Sequence, residues 1–154
     1  MKDTKLPPGQ RALSSFPRFG VTFGEAPPRM AGLASIRITG AVARVSDIPV
    51  ARLAELERTD RVADFHCVTG WSAHELAWQG VAFRTFYQHV IVGGAGVHPD
   101  VSHIRFHGAD GYAAVLLLAD AVDETVLLAD RLGGAPLSAG HGALVRLVSP
   151  KQYG

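Results

Sequence analysis

Glycine and proline punctuate this chain too densely for long elements: seventeen glycines and nine prolines fall among 154 residues. Proline fixes φ and removes a backbone donor, and glycine weakens the interior of helices and strands. What can form is a set of short segments joined by turns. Residues 1 to about 32 hold most of the prolines, with Gly20, Gly24 and Gly32 among them. That stretch is expected to wrap the rest as an irregular arm, and residues 33–154 to form a single domain.

Hydrophobic residues make up 47% of the chain and charged residues 19%, which suits a packed core rather than disorder. Net charge is +1, too small an excess to mark a nucleic-acid partner. The longest apolar run, Ala113 to Ala119, is far short of a membrane span. The first residues, Met1-Lys2-Asp3-Thr4-Lys5-Leu6-Pro7-Pro8, carry neither an apolar signal core nor a twin-arginine pair. A single cysteine cannot close an intramolecular disulfide and suits a reducing compartment, so a cytoplasmic protein is expected.

Alternation of apolar and polar residues predicts strands over Leu33–Val45 (as a pair bent at Gly40), Val62–Val68, Val101–His107, Tyr112–Leu118, Val126–Ala129 and Leu144–Val148. Gly108-Ala109-Asp110-Gly111 and Gly133-Gly134 read as turns. Asp47 can cap a helix with Pro49 in its first turn and Val50, Leu53 and Ala54 along one side. Phe83, Phe86, Tyr87 and Val90 predict a second helix over Ala82–Val92. The pattern points to an α+β fold, a mixed sheet or partly closed barrel with short helices on its connections.

The densest motif surrounds the lone thiol: Phe65-His66-Cys67-Val68-Thr69-Gly70-Trp71, then Trp78-Gln79-Gly80. Cys67 has three readings: a small core hydrophobe, a nucleophile or a metal ligand. Adjacent His66 is poorly placed to activate it, because neighbours on a strand point to opposite faces. His98, His103 and His107 could be imagined around zinc, yet no acidic or cysteine ligand motif frames them. His141, between Gly140 and Gly142 and five residues before Arg146, could converge with that arginine on a phosphate or other anion. The plainer alternative is a solvated turn and an exposed strand charge.

The order of these pieces carries more than any one of them. C-x3-W-x6-W-x-G is followed by Asp110-Gly111-Tyr112, Leu127-Leu128-Ala129, Gly134-Ala135-Pro136-Leu137, and then His141-Gly142, Arg146-Leu147-Val148, Pro150 and Tyr153-Gly154. The succession resembles the molybdopterin-binding domain of the sulfite oxidase family, including its small bacterial members, over residues 33–154. Pro17-Arg18-Phe19-Gly20 is similar to that family's N-terminal arm.

The resemblance implies a mixed α+β domain around a buried molybdenum–molybdopterin cofactor, with Cys67 as the protein ligand to the metal and the catalytic residue. It implies cofactor contacts at His141 and Arg146, at Gly108 in the loop after the central strand, and at the backbone of Gly154. Arg18 is a further contact from the arm. The implied chemistry is oxygen-atom transfer with a small sulfur or nitrogen compound, a sulfite-like oxyanion or an S- or N-oxide, with molybdenum cycling between the VI and IV states. The protein's share of such chemistry is binding, orientation and electronic tuning.

The chain departs from the family pattern in three ways. Leu144 stands where the family often has proline. Family members continue past Tyr-Gly with a lysine and a closing strand, whereas this chain stops at Gly154, so a truncated chain or a more weakly held cofactor is expected. No haem motif and no second domain is present, so electrons are expected to come from, or go to, an external partner. The rival class is a cofactor-free binding module that keeps the scaffold; a thiol-dependent enzyme is a third.

Overall fold

The centre of the molecule is a strand that the alternation did not single out. In the computed structural model, which describes residues 6–18, 26 and 34–153, Trp71–Ala82 forms a strand of 12 residues. In chain order the strands are β1 (Arg11–Leu13), β2 (Ser35–Ile38), β3 (Ser46–Pro49), β4 (Arg58–Cys67), β5 (Trp71–Ala82), β6 (His103–His107), β7 (Ala113–Leu117), β8 (Leu127–Leu132), β9 (Ala135–Pro136) and β10 (Arg146–Val148). Two four-residue helices, α1 (Phe83–Phe86) and α2 (Leu118–Ala121), lie on the connections.

The main sheet is mixed. β4 and β8 run antiparallel to β5, β1 joins it in parallel, and β10 and β9 both pair with β8. Separate two-stranded ribbons, β2–β3 and β6–β7, complete the α+β fold. The sheet does not close into a barrel among the described residues. Within the expected irregular arm, Arg11–Leu13 takes strand form beside Trp71–Ala73.

Alternate residues of β5 and β8 cover the sheet's two faces. Val81 and Leu128 point into the larger core, with Leu53, Phe83, Phe86, Leu116, Ala121 and Val126. Trp78, Leu127 and Ala129 face the other way, with Leu137 and Val148. Next to them sits a third cluster of Cys67, Trp71 and Ala73. Phe16 and Leu76 pack against both of these last clusters.

That arrangement needs a correction of parity, because Trp71 and Trp78 are an odd number of positions apart and a regular strand would aim them at opposite faces. The correction is a bulge. Pairing steps from Ala63↔Leu76 to Phe65↔Ala73, so β5 carries an extra residue opposite Asp64. Glu75 there adopts φ +53. Asp64 holds the bulge with both oxygens: Oδ1 accepts from the Glu75 N–H at 2.9 Å, and Oδ2 lies 2.9 Å from His74 Nδ1. Bulges of this kind re-aim side chains.

Burial pushes the Asp64 carboxyl up, but the Glu75 N–H and the His74 ring outweigh it and its pKa is lowered. A lowered carboxylate pKa adds stability that is complete above the unfolded value and is lost as pH falls through the folded one. Asp64→Asn is therefore expected to flatten the loss of urea resistance as pH falls below about 4, checked by denaturation midpoints for both proteins on the acid side of that value.

Two expected helices differ from what forms. Pro49 ends strand β3, and the helix begins after it as a 3₁₀ turn over Val50–Glu55 with no side-chain cap. Asp47 instead pairs with Arg37 across the β2–β3 ribbon. The segment expected as one α-helix over Ala82–Val92 is α-helical only to Phe86. It continues as a π-helix from Tyr87 to Ala95, where Gly96 N–H bonds the Ile91 carbonyl five residues back. Gly96 ends it at φ +72, a conformation that favours glycine.

Candidate active site

Cys67 is the last residue of β4 and is 2% exposed. A turn over Val68-Thr69-Gly70 returns the chain so that Cys67 faces Trp71, and Phe65 faces Ala73, on one face of the sheet. Cys67 Sγ lies 3.1 Å from Thr69 Oγ1. The thiol thus has one polar neighbour within an apolar setting of Trp71, Ala73, Leu13, Phe16, Phe65 and Leu76.

His66 faces the other way. Its Nδ1 bonds Ser72 Oγ at 2.7 Å, the fully buried Ser72 hydroxyl donates to Gln10 Oε1 at 3.0 Å, and Gln10 Nε2 donates to the Cys67 carbonyl at 3.0 Å. This relay locks the strand end that carries the thiol and leaves His66 no path to the sulfur.

His141 and Arg146 meet as their spacing suggested. A 3₁₀ turn over Ala139–His141 presents the imidazole, stacked on the Phe16 ring at 4.7 Å and 16°. Its Nε2 lies 2.9 Å from the Phe16 carbonyl, which only accepts, so Nε2 carries the hydrogen. Nδ1, 3.0 Å from Ser138 Oγ, accepts in turn. Gly142 follows in the left-handed region at φ +93, and a Cβ there would stand 2.9 Å from Arg146 Cβ. Glycine is required both by its dihedral and by the room Arg146 needs.

Arg146 reaches inward from β10. Its guanidinium carbon lies 5.3 Å from the Phe65 ring centroid, 5.4 Å from Trp78 and 5.8 Å from Phe16. Nη1 donates to the His141 carbonyl at 3.2 Å, while Nε is buried with no partner among the described residues. No carboxylate pairs with it among those residues either. Burial alone pushes its pKa down to about 10, equivalent to a penalty of order 3 kcal/mol on holding the charge.

The folded value lies below the unfolded one. Stability is therefore gained as pH rises through about 10 toward the unfolded value, and the whole penalty is present at every lower pH. Arg146→Met is expected to stabilise the cofactor-free protein by about 1–3 kcal/mol, read from urea denaturation at neutral pH. A loss of stability would mean that the rings and the His141 carbonyl already compensate the charge.

Arg18 joins this loop, its Cδ 3.0 Å from where a Cβ on Gly140 would stand. Gly108 lies in the turn of the β6–β7 ribbon, where its N–H bonds the Tyr112 carbonyl at 2.7 Å. That ribbon packs through Ile104, Phe106, Ala114 and Leu116 into the larger core, not into the Cys67 cluster. Gly154 lies outside the described residues. Leu144 is 42% exposed.

No group of three or more His, Cys, Asp or Glu side chains is arranged to hold a metal among the described residues. His103 and His107 are exposed on β6, and His98 contacts Asp100. Of two clefts, about 250 and 210 Å³, neither is lined by Cys67, and the smaller reaches Trp78 and Arg61. Of the residues that frame the thiol and the arginine, Phe16 was not singled out from sequence, and Trp78 and Thr69 stood in the cysteine motif without an assigned role. Thr69, two residues beyond the cysteine in the same motif, was the one within reach of it.

Fold and site together define an α+β domain with a lone buried thiol and a largely buried arginine, unpaired with any carboxylate of the described residues, against the same aromatic rings. Comparison with known proteins gives that class a family. The family model of the oxidoreductase molybdopterin binding domain matches residues 26–154. This chain belongs to that family and is an oxidoreductase domain.

It is 30% identical over 152 residues to the uncharacterized oxidoreductase YuiH of Bacillus subtilis (strain 168), covering 97% of this chain and 72% of that protein. It is also 30% identical over 138 residues to YedZ1 of Azospira oryzae, named for a protein-methionine-sulfoxide reductase subunit, covering 88% of this chain and 50% of that protein. The crystal structure of the sulfane dehydrogenase SoxCD from Paracoccus pantotrophus matches with a TM-score of 0.63 at 21% identity. That match covers 75% of this chain and 33% of that one, and it shows the shared fold. No described helix is long and apolar enough to cross a membrane.

Proposed function

We propose that this domain holds a molybdenum–molybdopterin cofactor and transfers an oxygen atom to or from a small sulfur or nitrogen compound. One observation carries the reading. The lone thiol of Cys67 and the carboxylate-free guanidinium of Arg146 share the wall of Phe16 and Phe65. A soft donor and a largely buried cation with no carboxylate partner among the described residues thus both adjoin those rings. An anionic pterin phosphate would supply the missing counter-charge, so the residues present fit the group.

In this reading Cys67 is the protein ligand to the metal, with Thr69 beside its sulfur. Arg146 holds the cofactor's anionic end, and His141, its ring pinned at both nitrogens and stacked on Phe16, contributes to cofactor binding by fixing the turn that carries the contact. Arg18, lying along Gly140, is a further contact from the arm. Gly108 and Gly154 are assigned on the family pattern alone. When bound, the cofactor supplies two-electron oxygen-atom transfer. The chain contributes the Cys67 sulfur in an apolar setting and the Arg146 guanidinium as a fixed donor.

The name of YedZ1 supports a sulfoxide-type substrate and, as a subunit, an external electron partner. The division into an arm over residues 1–32 and a cofactor domain over 33–154 belongs to the same proposal. So does a cytoplasmic site of action, for which the single free cysteine is the motive.

The test is metal and pterin analysis of protein made in a host that synthesises the cofactor. Near one molybdenum per chain, with pterin fluorescence released on denaturation, is the expected result. A folded chain carrying neither, which also ignores added cofactor, would hand the site to the cofactor-free binding reading.

A further inference from the structure

The larger core has an opening that the site around Cys67 does not use. A cleft of about 250 Å³ lies between the π-helix over Tyr87–Ala95 and the chain that runs through β3 into the 3₁₀ turn over Val50–Glu55. Its buried and half-buried walls are apolar: Ile48, Val90 and Ala95, which pack in the larger core and not in the Cys67 cluster. Its exposed rim is basic, formed by Arg44, Arg52 and His89.

The charges on that rim are poorly matched. Arg52 Nε meets Glu55 Oε2 at 3.1 Å, a solvent-exposed pair of the kind that contributes little. Arg44 and His89 pair with no carboxylate among the described residues. Arg44 is nevertheless held in place. Its Nη2 donates to the Gly94 carbonyl, its own N–H bonds the Ala95 carbonyl at 3.0 Å, and the N–H of Ala43 bonds the Gly96 carbonyl at 3.0 Å. The guanidinium is thus fixed at the end of the π-helix with other N–H donors to spare.

Gly94 adds an independent observation. It lines the cleft, its φ is outside the left-handed region, and a Cβ there would meet nothing within 4 Å. Neither backbone conformation nor internal packing asks for glycine, which weakens a helix interior. Close approach of a ligand to bare backbone is the use of glycine that fits both facts. π turns are rare and concentrate at functional sites.

We infer that this cleft binds a small organic carboxylate. Arg44, backed by Arg52 and His89, takes the charged end, and a short branched hydrocarbon body lies on Ile48, Val90 and Ala95 against Gly94. The volume sets the size, since it falls short of the ~300 Å³ at which drug-sized ligands begin to fit. The inference does not rest on the molybdenum reading.

The experiment titrates isovalerate into the full chain by calorimetry and follows backbone amides by NMR. One saturable site is expected, with shifts centred on Arg44 and Gly94. Isovaleramide keeps the shape without the charge, and inorganic phosphate keeps charge without the hydrocarbon; each should bind about tenfold more weakly or worse. Arg44→Gln should weaken isovalerate to a similar degree. Gly94→Leu should abolish binding without lowering the melting temperature. Glu55→Gln, which removes the carboxylate competing for Arg52, should tighten binding, an effect that a merely structural role would not produce. Arg37→Gln, whose partner is Asp47 across the β2–β3 ribbon, should leave it unchanged.

Absence of saturable binding overturns the site. So does equal binding of isovaleramide or phosphate, or binding indifferent to Arg44→Gln and Glu55→Gln. Should Arg44→Gln or Gly94→Leu fail to fold, Glu55→Gln decides alone. A chain that never takes up molybdenum or pterin but binds isovalerate in this way would sink the cofactor reading and leave the cleft standing.

Discussion

Gly80→Ala is expected to prevent the chain from folding, or to cost about 3–5 kcal/mol of a total that is only about 5–15 for a domain this size. A Cβ at Gly80 would stand 2.0 Å from the Leu128 carbonyl oxygen, 2.8 Å from its carbon and 2.7 Å from Ala129 Cα. All are backbone atoms of β8, the strand paired with β5 at that point. No rotamer change relieves such a clash, so β5 and β8 must separate. Val81 and Leu128 in the larger core would move with them, as would Trp78 and Ala129 on the site face. The irregularity between Gln79 and Gly80 allows this close approach, as glycine at a bulge does elsewhere. Far-ultraviolet circular dichroism and urea denaturation of the soluble fraction check it. A variant that unfolds with the midpoint of the parent would mean that the strands yield at small cost.

Cys67→Ser is expected to do the opposite: leave the fold and remove the chemistry. The two side chains are close in size, and the hydroxyl can keep the Thr69 contact now made by Sγ at 3.1 Å. The stability change should stay within about 1 kcal/mol. Serine, however, offers a hard oxygen whose proton is not lost near neutral pH, whereas a soft metal prefers thiolate. Protein loaded in the same host should therefore lose its sulfur-to-metal charge-transfer absorption and its activity, while its melting temperature moves by a few degrees at most. Retention of that absorption would take Cys67 out of the metal's coordination sphere.

The two variants probe different levels of one design, and the sequence disclosed those levels unequally. The β6–β7 ribbon was legible because its alternation is local: Ile104 and Phe106 opposite Ala114 and Leu116 need only period two and a glycine turn; of the pair expected over Leu33–Val45 only Ser35–Ile38 is strand, and its partner lies further on at Ser46–Pro49. His141 and Arg146 were legible because Gly142 between them has a steric reason to be glycine. β5 was hidden. It is buried on both faces over much of its length, and its alternation breaks at His74–Glu75, so no single period describes it. The helix over Ala82–Val92 was seen, but its shift to π geometry was not, because the apolar stripe holds at either pitch over two turns.

Local chemistry was enough to establish a chain of short elements in an α+β arrangement, one thiol without a partner, and a glycine-framed histidine and arginine near the end. Each depends on neighbours a few residues apart, and the chain order of the motifs named the family to which they belong. Distance in sequence hid the rest. Asp64 flips the parity of β5 so that Trp71 and Trp78 share a face, and Phe16, 125 residues from His141, supplies both its stacking ring and its carbonyl. Arg146, from β10, brings its guanidinium carbon to 5.4 Å from the Trp78 ring of β5. Side chains on different strands become neighbours only once register and bulge are set, because pairing, and not spacing along the chain, determines which of them meet.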